Sequence, residues 1–337
     1  MPVIVTPFAR PAQLAPSWLG LAALFAAWGL PASAAVSDTP ARATANPPTM
    51  RLAVGSAQVD FVSADGVLAG RYHFADPFKP YLHPLQSPNG HCVSLARPHD
   101  HAHHKGVMYA LRTPELNFWE ERPTLPGEAV GRERHVAFSA VRESGEEIGF
   151  TETLVWEPAA GGDAVFDETR TLTCRREGRG FRWTWTTVLI ARRATRLIQS
   201  QWSHVAKDGR TTNYHGLGLR LRRDFGGGTA NNALQLDDAP VRWNHGSRPF
   251  DFTSAMGATP ARVTFIGAID GAWPTPRVAV TVAQEQQNAL FVMADPFAFL
   301  ALGPSNLGER ALSAGESLHE RYTIVVADVD ISPPVQP

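Results

Sequence analysis

The feature that most constrains the fold of this chain is a regular alternation of apolar and polar residues. In "GFRWTWTTVLI", Phe181, Trp183 and Trp185 fall on one face of an extended chain, whereas Arg182 and Thr184 fall on the other. A period of two, built from aromatic and β-branched residues, is typical of a β-strand with one buried face. This stretch is therefore predicted to be a strand that contributes one face to a hydrophobic core.

Stretches of the same kind recur along the chain. "GRERHVAFSAV", "GFTETLVW" and "AVFDETRTLTC" precede it, and "RVAVTVA" and "ERYTIVVADV" lie near the end, with breaks rich in glycine, proline or charge between them. No stretch after residue 50 has the pattern of a long amphipathic helix. We predict an all-β fold, a large antiparallel, supersandwich-like β-sandwich with little helix. Because no linker interrupts the strands, residues 51–330 are predicted to form one domain rather than two, followed by a tail at 331–337.

The first 50 residues have the features of an export signal. Arg10 precedes an apolar run at 18–30, and small residues follow in "PASAA" at 31–35. This order predicts a signal peptide over residues 1–35. The alternative, an uncleaved anchor, requires an apolar run of about 20 residues. Residues 36–50 are then a flexible leader, and the protein is predicted to be periplasmic or secreted, with no transmembrane association after cleavage.

The charge balance excludes some classes of partner. Lys and Arg total 31 and Asp and Glu total 32, with no block of like charge. Such a chain lacks the basic patch that binds nucleic acid or an anionic membrane. We expect no nucleic-acid partner, and a ligand that is a small, uncharged molecule or another protein.

The chain contains only two cysteines, Cys92 and Cys174. Export would place them in an oxidising compartment, where a disulfide can form. A domain of this size does not need a disulfide for stability, so two separately buried thiols are an equal alternative.

The densest cluster of ionisable residues is "PHDHAHH" at 98–104. Seven of the 12 histidines fall between His73 and His104, and four of these fall between His99 and His104. The segment is predicted to be a loop, in which side chains can converge on one pocket. Imidazole and carboxylate groups are ligands of zinc, iron or manganese, and they are also general acids and bases near neutral pH. Three interpretations stay open: metal binding, catalysis or ligand contact, and a structural role.

Several blocks of the sequence resemble, in order, those of the bacterial exported PmoA family. They are "KPYLHPL", "PHDHAHHKGVMYAL", "NFWEE", "GRERHVAF", "ETRTLT" and "LSAGESLHERYTIVVAD". The most specific part is P-x-L-H-P-L followed by D-H-x-x-H-[RK]-G, which is formed here by His83, Asp100, His101, His104, Lys105 and Gly106. The family shares its name with a membrane-embedded monooxygenase subunit. This chain does not resemble that subunit, because after the signal it has no apolar run of about 20 residues.

The resemblance implies an association with carbohydrate metabolism, since such proteins accompany sugar oxidoreductases and carbohydrate-degrading genes. We expect an enzyme that uses the His/Asp cluster for elimination, hydration, epimerisation or hydrolysis of a sugar derivative, that is, a carbohydrate-active lyase, hydratase or hydrolase. The alternative is a secreted carbohydrate-binding or structural module without turnover. One divalent metal ion is a candidate cofactor.

The predicted site gathers residues from several segments. Catalytic roles are predicted for His83, Asp100, His101, His104 and Glu168. A metal ion would be bound by His101, His104 and His135, because His135 alternates with Arg134 and Val136 and so points away from them. Substrate hydroxyls and a sugar face would contact Lys105, Asn117, Trp119 and Glu120. His103 is expected to matter least, because its position varies in the family, and His215 is assigned no role.

Overall fold

The structure is a computed structural model that describes residues 50–205, 209–226, 232–241 and 255–329. The predicted signal peptide, all of the leader but Met50, and the C-terminal tail therefore lie outside the described residues. The strands of the first half are β1 (Met50–Val54), β2 (Gln58–Val62), β3 (Leu68–His73), β4 (Tyr81–Leu85), β5 (Val107–Ala110), β6 (Leu116–Asn117), β7 (Ala129–Arg142), β8 (Ser144–Gly145), β9 (Glu147–Pro158), β10 (Phe166–Glu177) and β11 (Gly180–Ala191).

The second half contains shorter strands and one 3₁₀ turn, Arg223–Phe225. The strands are β12 (Thr195–Leu197), β13 (His204–Val205), β14 (Thr211–Thr212), β15 (Gly216–Arg220), β16 (Ala233–Leu236), β17 (Ala239–Val241), β18 (Arg262–Ala268), β19 (Arg277–Gln284), β20 (Ala289–Met293), β21 (Phe299–Gly303), β22 (Arg310–Leu312) and β23 (Ser317–Val329). The described residues include no α-helix, so the prediction of an all-β fold with little helix is confirmed.

Two large sheets contain most of the strands. The first sheet has the order β20-β21-β15-β5-β4-β3-β2-β1-β8, and the second has the order β17-β16-β18-β19-β23-β11-β10-β9-β7-β6. Strands β12 and β22, and strands β13 and β14, form two small additional pairs. Among the described strands, every pairing is antiparallel except that of β6 with β7.

The two sheets pack face to face through aromatic side chains. Phe61 of β2 meets Trp183 of β11 with ring centroids 4.7 Å apart, and Tyr72 of β3 meets Phe150 of β9 at 5.2 Å. Trp183 and Trp185 are fully buried, as the alternation in "GFRWTWTTVLI" predicts. Burying one face of each sheet against the other removes this apolar surface from water, which is the main stabilising contribution in a sandwich.

The two cysteines are separate. Cys174 is fully buried on β10, Cys92 is half-buried beside Ser94, and both are free thiols. Of the two alternatives left open by the sequence, the structure has the unpaired thiols. Within the described ranges, no helix has the length and hydrophobicity of a membrane span.

Candidate functional site

A cavity of about 740 Å³ opens beside the first sheet, where β20, β21 and the segment before β15 meet three loops. This volume lies in the range of small-molecule sites, roughly 300–1,000 Å³. Most of the lining residues are aromatic, imidazole or charged, and three are small or aliphatic: Phe78, His99, Asp100, His101, Ala102, His103, His104, Glu120, Glu121, Arg122, Trp202, His204, Tyr214, Phe291, Met293, Pro296, Phe297 and Phe299. Asp100, His101, His104 and Glu120 are thus the predicted site residues that the structure brings to one cavity.

The histidine loop, residues 97–106, is a closed turn at the cavity wall. The backbone N–H of His104 donates to the carbonyl oxygen of His101 at 2.9 Å, which curls the loop. The loop ends at Gly106, whose φ is 62°; a Cβ at this position would collide with the carbonyl oxygen of Leu82. Glycine adopts this conformation without a steric cost, so it allows the loop to return tightly to the sheet.

Three imidazoles of this loop contact one another. The ring of His104 stacks on that of His101 with centroids 4.8 Å apart and meets the edge of His103 at 4.5 Å. On its other side it stacks on Phe299, also at 4.8 Å. Burial lowers the pKa of all three, to about 2 for His103 and well below the usual value for His104. All three are therefore neutral at neutral pH, each with one N–H donor and one acceptor nitrogen.

Arg220 lies behind the loop and fixes the proton of His104. Its Nη1 lies 3.4 Å from His104 Nδ1, a long hydrogen bond in which the guanidinium donates. Neutral His104 must then have its proton on Nε2. Burial lowers the pKa of Arg220 to about 10, and its guanidinium lies 3.7 Å above the ring centroid of Phe297.

Asp100 is held by arginines rather than by an imidazole. Arg220 Nη2 lies 3.3 Å from Asp100 Oδ2, and Arg223 Nη2 lies 3.4 Å from Oδ1. Although burial acts to raise it, the pKa of Asp100 is lowered by a backbone hydrogen bond and by these two arginines. His101 Nδ1 is 3.6 Å from Oδ2, longer than a normal hydrogen bond. The carboxylate stays ionised, and its charge is matched mainly by the arginines.

Glu120 has a carboxylate with unused hydrogen-bonding capacity at the cavity wall. It is only 5% exposed, and its Oε1 accepts hydrogen bonds from Tyr214 Oη at 3.0 Å and from Ser200 Oγ at 3.2 Å. Its Oε2 is buried and has no hydrogen-bond partner among the described residues. A buried, unpaired carboxylate oxygen is costly, roughly 1–3 kcal/mol or more. At a cavity wall, such an atom is placed to accept a proton or a ligand hydroxyl.

Glu121 is held beside it by two buried lysines. Lys79 Nζ and Lys105 Nζ lie 2.9 and 2.6 Å from the same Glu121 oxygen, and both lysine side chains are fully buried. Lys105 also pairs with Asp76 at 2.6 Å, and burial together with the neighbouring Lys79 lowers its pKa. Glu121 has φ of 59°, in the left-handed region that few residues other than glycine adopt. These ion pairs stabilise a strained backbone at the cavity wall.

Three residues predicted to bind substrate, Asn117, Trp119 and Lys105, are buried behind the cavity and do not line it. Asn117 is fully buried, and its Oδ1 accepts the backbone N–H groups of Trp119 at 3.0 Å and Glu120 at 2.9 Å. Trp119 is also fully buried, with its ring edge-on to His104 at 6.4 Å. Lys105 is occupied by its carboxylate partners. Asn117 and Lys105 are already satisfied by partners within the protein, whereas Trp119 packs behind the wall with its buried Nε1 making no hydrogen bond to a described residue.

His83 and His135 do not reach the cavity, contrary to the predicted convergence. His83 Nδ1 lies 2.8 Å from Ser94 Oγ on the β4 side of the first sheet, and burial lowers its pKa to about 4. His135 points away from Arg134 and Val136 as predicted, but it meets Glu152 at 2.7 Å. Alternation fixes the face of the sheet on which a strand residue lies. It does not fix where that strand lies relative to the histidine loop, and this is why the prediction for His135 is wrong.

Glu168 is also absent from the cavity. It lies in the core between the sheets, 1% exposed, and accepts hydrogen bonds from Arg170, Trp156 and Thr187 at 2.8 to 3.0 Å. The predicted metal set of His101, His104 and His135 is not assembled, because His135 lies with Glu152. In the described ranges, no group of three or more His, Cys, Asp or Glu side chains is arranged to hold a metal ion.

The sequence reasoning missed several wall residues. His103, expected to matter least, lines the cavity beside His104. In "NYHGLGLRLRRDFGGG", Tyr214 comes just before the buried strand β15 and lines the cavity, and Arg220 is the last residue of that strand and lies behind the histidine loop. Polar residues at the two ends of an apolar strand are the signal that could have found them. Phe299 belongs to an ordinary apolar strand and has no such signal.

Residues 60–334 match a protein family described as a family of unknown function, DUF6807. The chain belongs to this family. No curated protein matches it at a significant level. The resemblance to the exported PmoA family stays a prediction.

Several solved structures are similar to this chain over most of its length. A GH36 α-galactosidase from Geobacillus stearothermophilus, in complex with raffinose, is 15% identical with a TM-score of 0.30; the match covers 73% of this chain and 29% of that enzyme. A candidate aldose 1-epimerase from Escherichia coli K12 is 11% identical with a TM-score of 0.32, covering 83% and 99% of the two chains. The Slr1438 protein from Synechocystis sp. PCC 6803 is 11% identical with a TM-score of 0.33, covering 88% and 100%. Scores this low carry no argument about the site.

Proposed function

We propose that this DUF6807 protein is an exported enzyme that acts on a carbohydrate by acid–base chemistry in the cavity. The observation that carries the proposal is the buried, unpartnered Oε2 of Glu120 at the cavity wall. A carboxylate there can take a proton from a hydroxyl, from water or from an activated C–H group. Glu120, which the sequence predicts as a substrate-binding residue, is therefore the proposed proton acceptor, and no catalytic role is proposed for Glu168 or His83.

His104 is the proposed proton donor. Because Arg220 donates to Nδ1, the proton of the neutral ring is on Nε2. A neutral imidazole N–H can donate to an oxygen on which negative charge develops, without first losing a charge. A carboxylate acceptor and an imidazole donor at one cavity support epimerisation, elimination or hydration of a sugar derivative, and they also support hydrolysis. Aromatic residues in the lining, such as Trp202 and Phe297, offer faces on which a sugar ring can stack.

Activity should depend on Glu120 and not on a buried carboxylate elsewhere. We expect Glu120→Gln to lower turnover by roughly 10²- to 10⁴-fold, the usual effect of removing a general base. Glu168→Gln, the matched buried carboxylate in the core, should retain turnover per folded molecule. Proton NMR of a panel of free, oxidised and glycosidic sugars, incubated with the exported form, measures the reaction directly.

Two results would contradict this proposal. Binding of sugars in the cavity without turnover of any of them would support the alternative, a secreted binding module. Equal loss of turnover in Glu120→Gln and Glu168→Gln would indicate a general effect on folding. Export is tested separately by N-terminal sequencing of the mature protein, which we expect to begin close to Ala35; an intact Met1 would contradict it.

A further inference from the structure

Arg122 is a cation at the cavity with no side-chain partner in the part of the chain that the structure describes. It follows Glu121, is exposed and lines the cavity. Its carbonyl oxygen accepts a hydrogen bond from Asn117 Nδ2 at 3.2 Å, so its backbone is fixed. Its guanidinium makes no hydrogen bond or ion pair with a described residue. The cavity therefore presents a guanidinium whose N–H donors are not used by any described side chain.

The carboxylates of the wall do not need Arg122 as a partner. Asp100 already faces two arginines, Arg220 and Arg223, at 3.3 and 3.4 Å. Glu121 already faces two lysines, Lys79 and Lys105, at 2.9 and 2.6 Å. Each of these two carboxylates therefore has two cations beside it, and Arg122 adds a further positive charge that neither carboxylate needs for charge balance.

Glu120 is the exception, and it sets the orientation of a ligand. Its nearest cation, Arg112, lies 3.9 Å away and is itself paired with Glu128 at 2.5 Å. The free oxygen of Glu120 would repel an anion and attract a hydroxyl. The cavity thus has an acceptor for hydroxyls at Glu120 and a separate cationic position at Arg122.

The histidine loop is consistent with a positive potential near Arg122. Burial is the main cause of the lowered pKa of His103, and the charges of Lys79, Arg122 and Lys105 add to it. Burial likewise lowers the pKa of His101; Asp100 acts to raise it, and Arg220 and Arg122 act to lower it. Arg122, His101 and His103 line the same cavity, and both imidazoles are neutral and can donate N–H groups to an anion.

We propose that the ligand of this cavity is an anionic sugar, specifically a sugar acid whose carboxylate is bound by Arg122 while its hydroxyls are accepted by Glu120. The inference rests on the proposed function and adds a substrate class to it. It differs from the uncharged ligand expected from the overall charge balance, because the relevant charge is local. A planar guanidinium binds a carboxylate through two parallel hydrogen bonds, which favours a carboxylate over other anions.

Isothermal titration calorimetry of the mature protein tests this inference with four ligand groups. These are neutral hexoses, the corresponding uronates and aldonates, hexose 6-phosphates, and amino sugars. We expect a sugar acid to bind about 10-fold or more tightly than its neutral counterpart, the effect of one charge-assisted pair. Arg122→Gln should remove this preference, because it should weaken binding of the sugar acid about 10-fold or more and weaken binding of the neutral sugar much less. Arg142→Gln, which changes an exposed arginine on β7 outside the cavity, is the matched control and should alter neither affinity.

The outcomes separate this inference from the proposed function. If neutral sugars bind as tightly as their acids, or if Arg122→Gln weakens both equally, the sugar-acid inference is wrong, whereas turnover that depends on Glu120 would still support the enzyme. If a hexose 6-phosphate binds more tightly than any sugar acid, the choice of a carboxylate is wrong. If no sugar of any charge binds, both are wrong.

Discussion

Glu120 and Glu168 are both buried carboxylates, and the difference between them separates the cavity from the core. Glu168 accepts four hydrogen bonds, from Arg170 twice, Trp156 and Thr187, which use both of its oxygens. Glu120 accepts two, and both go to one oxygen. Burial alone therefore does not mark a functional carboxylate. A buried carboxylate oxygen without a hydrogen-bond partner at a cavity wall does mark one. Such an oxygen lowers the stability of the fold, and no hydrogen bond within the described residues compensates for this cost.

Arg170 gives the largest expected effect on the core side of this comparison. It is fully buried and pairs with Glu168 at 2.8 Å and with Glu133 at 3.0 Å. Arg170→Met would leave both carboxylates buried without their cation, so we expect the free energy of unfolding to fall by about 3–5 kcal/mol. Urea unfolding measures this change. The exposed variant Arg142→Gln should change it by less than about 0.5 kcal/mol, and a loss in Arg170→Met as small as this would show that the core pairs are not coupled to stability.

The two carboxylates should respond to the same chemical change by different amounts. Glu168→Gln places an amide N–H₂ against the donors of Arg170, so we expect a loss of about 1.5–3 kcal/mol in the free energy of unfolding. Glu120→Gln leaves most of its surroundings intact and replaces an oxygen that has no hydrogen-bond partner, so we expect a change of less than about 1 kcal/mol. Chemical denaturation of both variants beside the wild type gives the comparison. A larger loss in Glu120→Gln than in Glu168→Gln would reverse the assignment of core and site.

The fold was predictable because it depends on a repeated local pattern. The alternation in β11 places Trp183 and Trp185 in the core, and the structure buries both completely. Each strand repeats this signal independently, so the errors of single stretches do not change the architecture. The small strands β12, β13, β14 and β22 were not predicted, because two or three residues are too few to establish a period.

The site was predictable only where its residues are close in sequence. His101, His103 and His104 share one loop, so their proximity follows from the chain itself. The assignment of Glu168 failed because a motif residue in a strand can face a core network as well as a cavity, and sequence alone does not distinguish them. Tyr214, which orients Glu120, comes from a distant segment, and its contact depends on how the two sheets and their loops pack.

The histidines on the core side of the site should make stability depend on pH. His215 is fully buried, its Nδ1–H donates to the carbonyl oxygen of Ile198 at 3.1 Å, and burial lowers its pKa to about 3. In the unfolded chain its pKa returns to about 6.5. Between these two values the unfolded state binds one proton more than the folded state, so stability is greatest above pH 6.5 and falls as the pH is lowered.

Replacing His215 should remove part of this dependence. Each pH unit below 6.5 should cost about 1.4 kcal/mol for this residue. In His215→Gln, the slope of the free energy of unfolding between pH 6 and pH 4 should therefore be lower than in the wild type by about this amount per unit. Urea unfolding across this pH range checks the result. An unchanged slope would show that His215 is not the residue that couples protons to folding.

The smallest expected effect is a change in sugar affinity that should distinguish two exposed tryptophans, Trp202 and Trp273. Trp202 is 57% exposed and lines the cavity, whereas Trp273 is 93% exposed and lies outside it. If Trp202 stacks on a bound sugar, Trp202→Ala should weaken sugar binding by a factor of roughly 2 to 10, the value of one aromatic contact of about 0.5–1.5 kcal/mol. Because its ring makes little contact with the core, the free energy of unfolding should change by less than about 0.5 kcal/mol.

Trp273→Ala should change neither quantity, and calorimetric titration of both variants with the same sugar provides the measurement. Equal weakening in the two variants would show that the ring of Trp202 contributes no specific contact, and it would limit the sugar site to the inner wall formed by the histidine loop and Glu120.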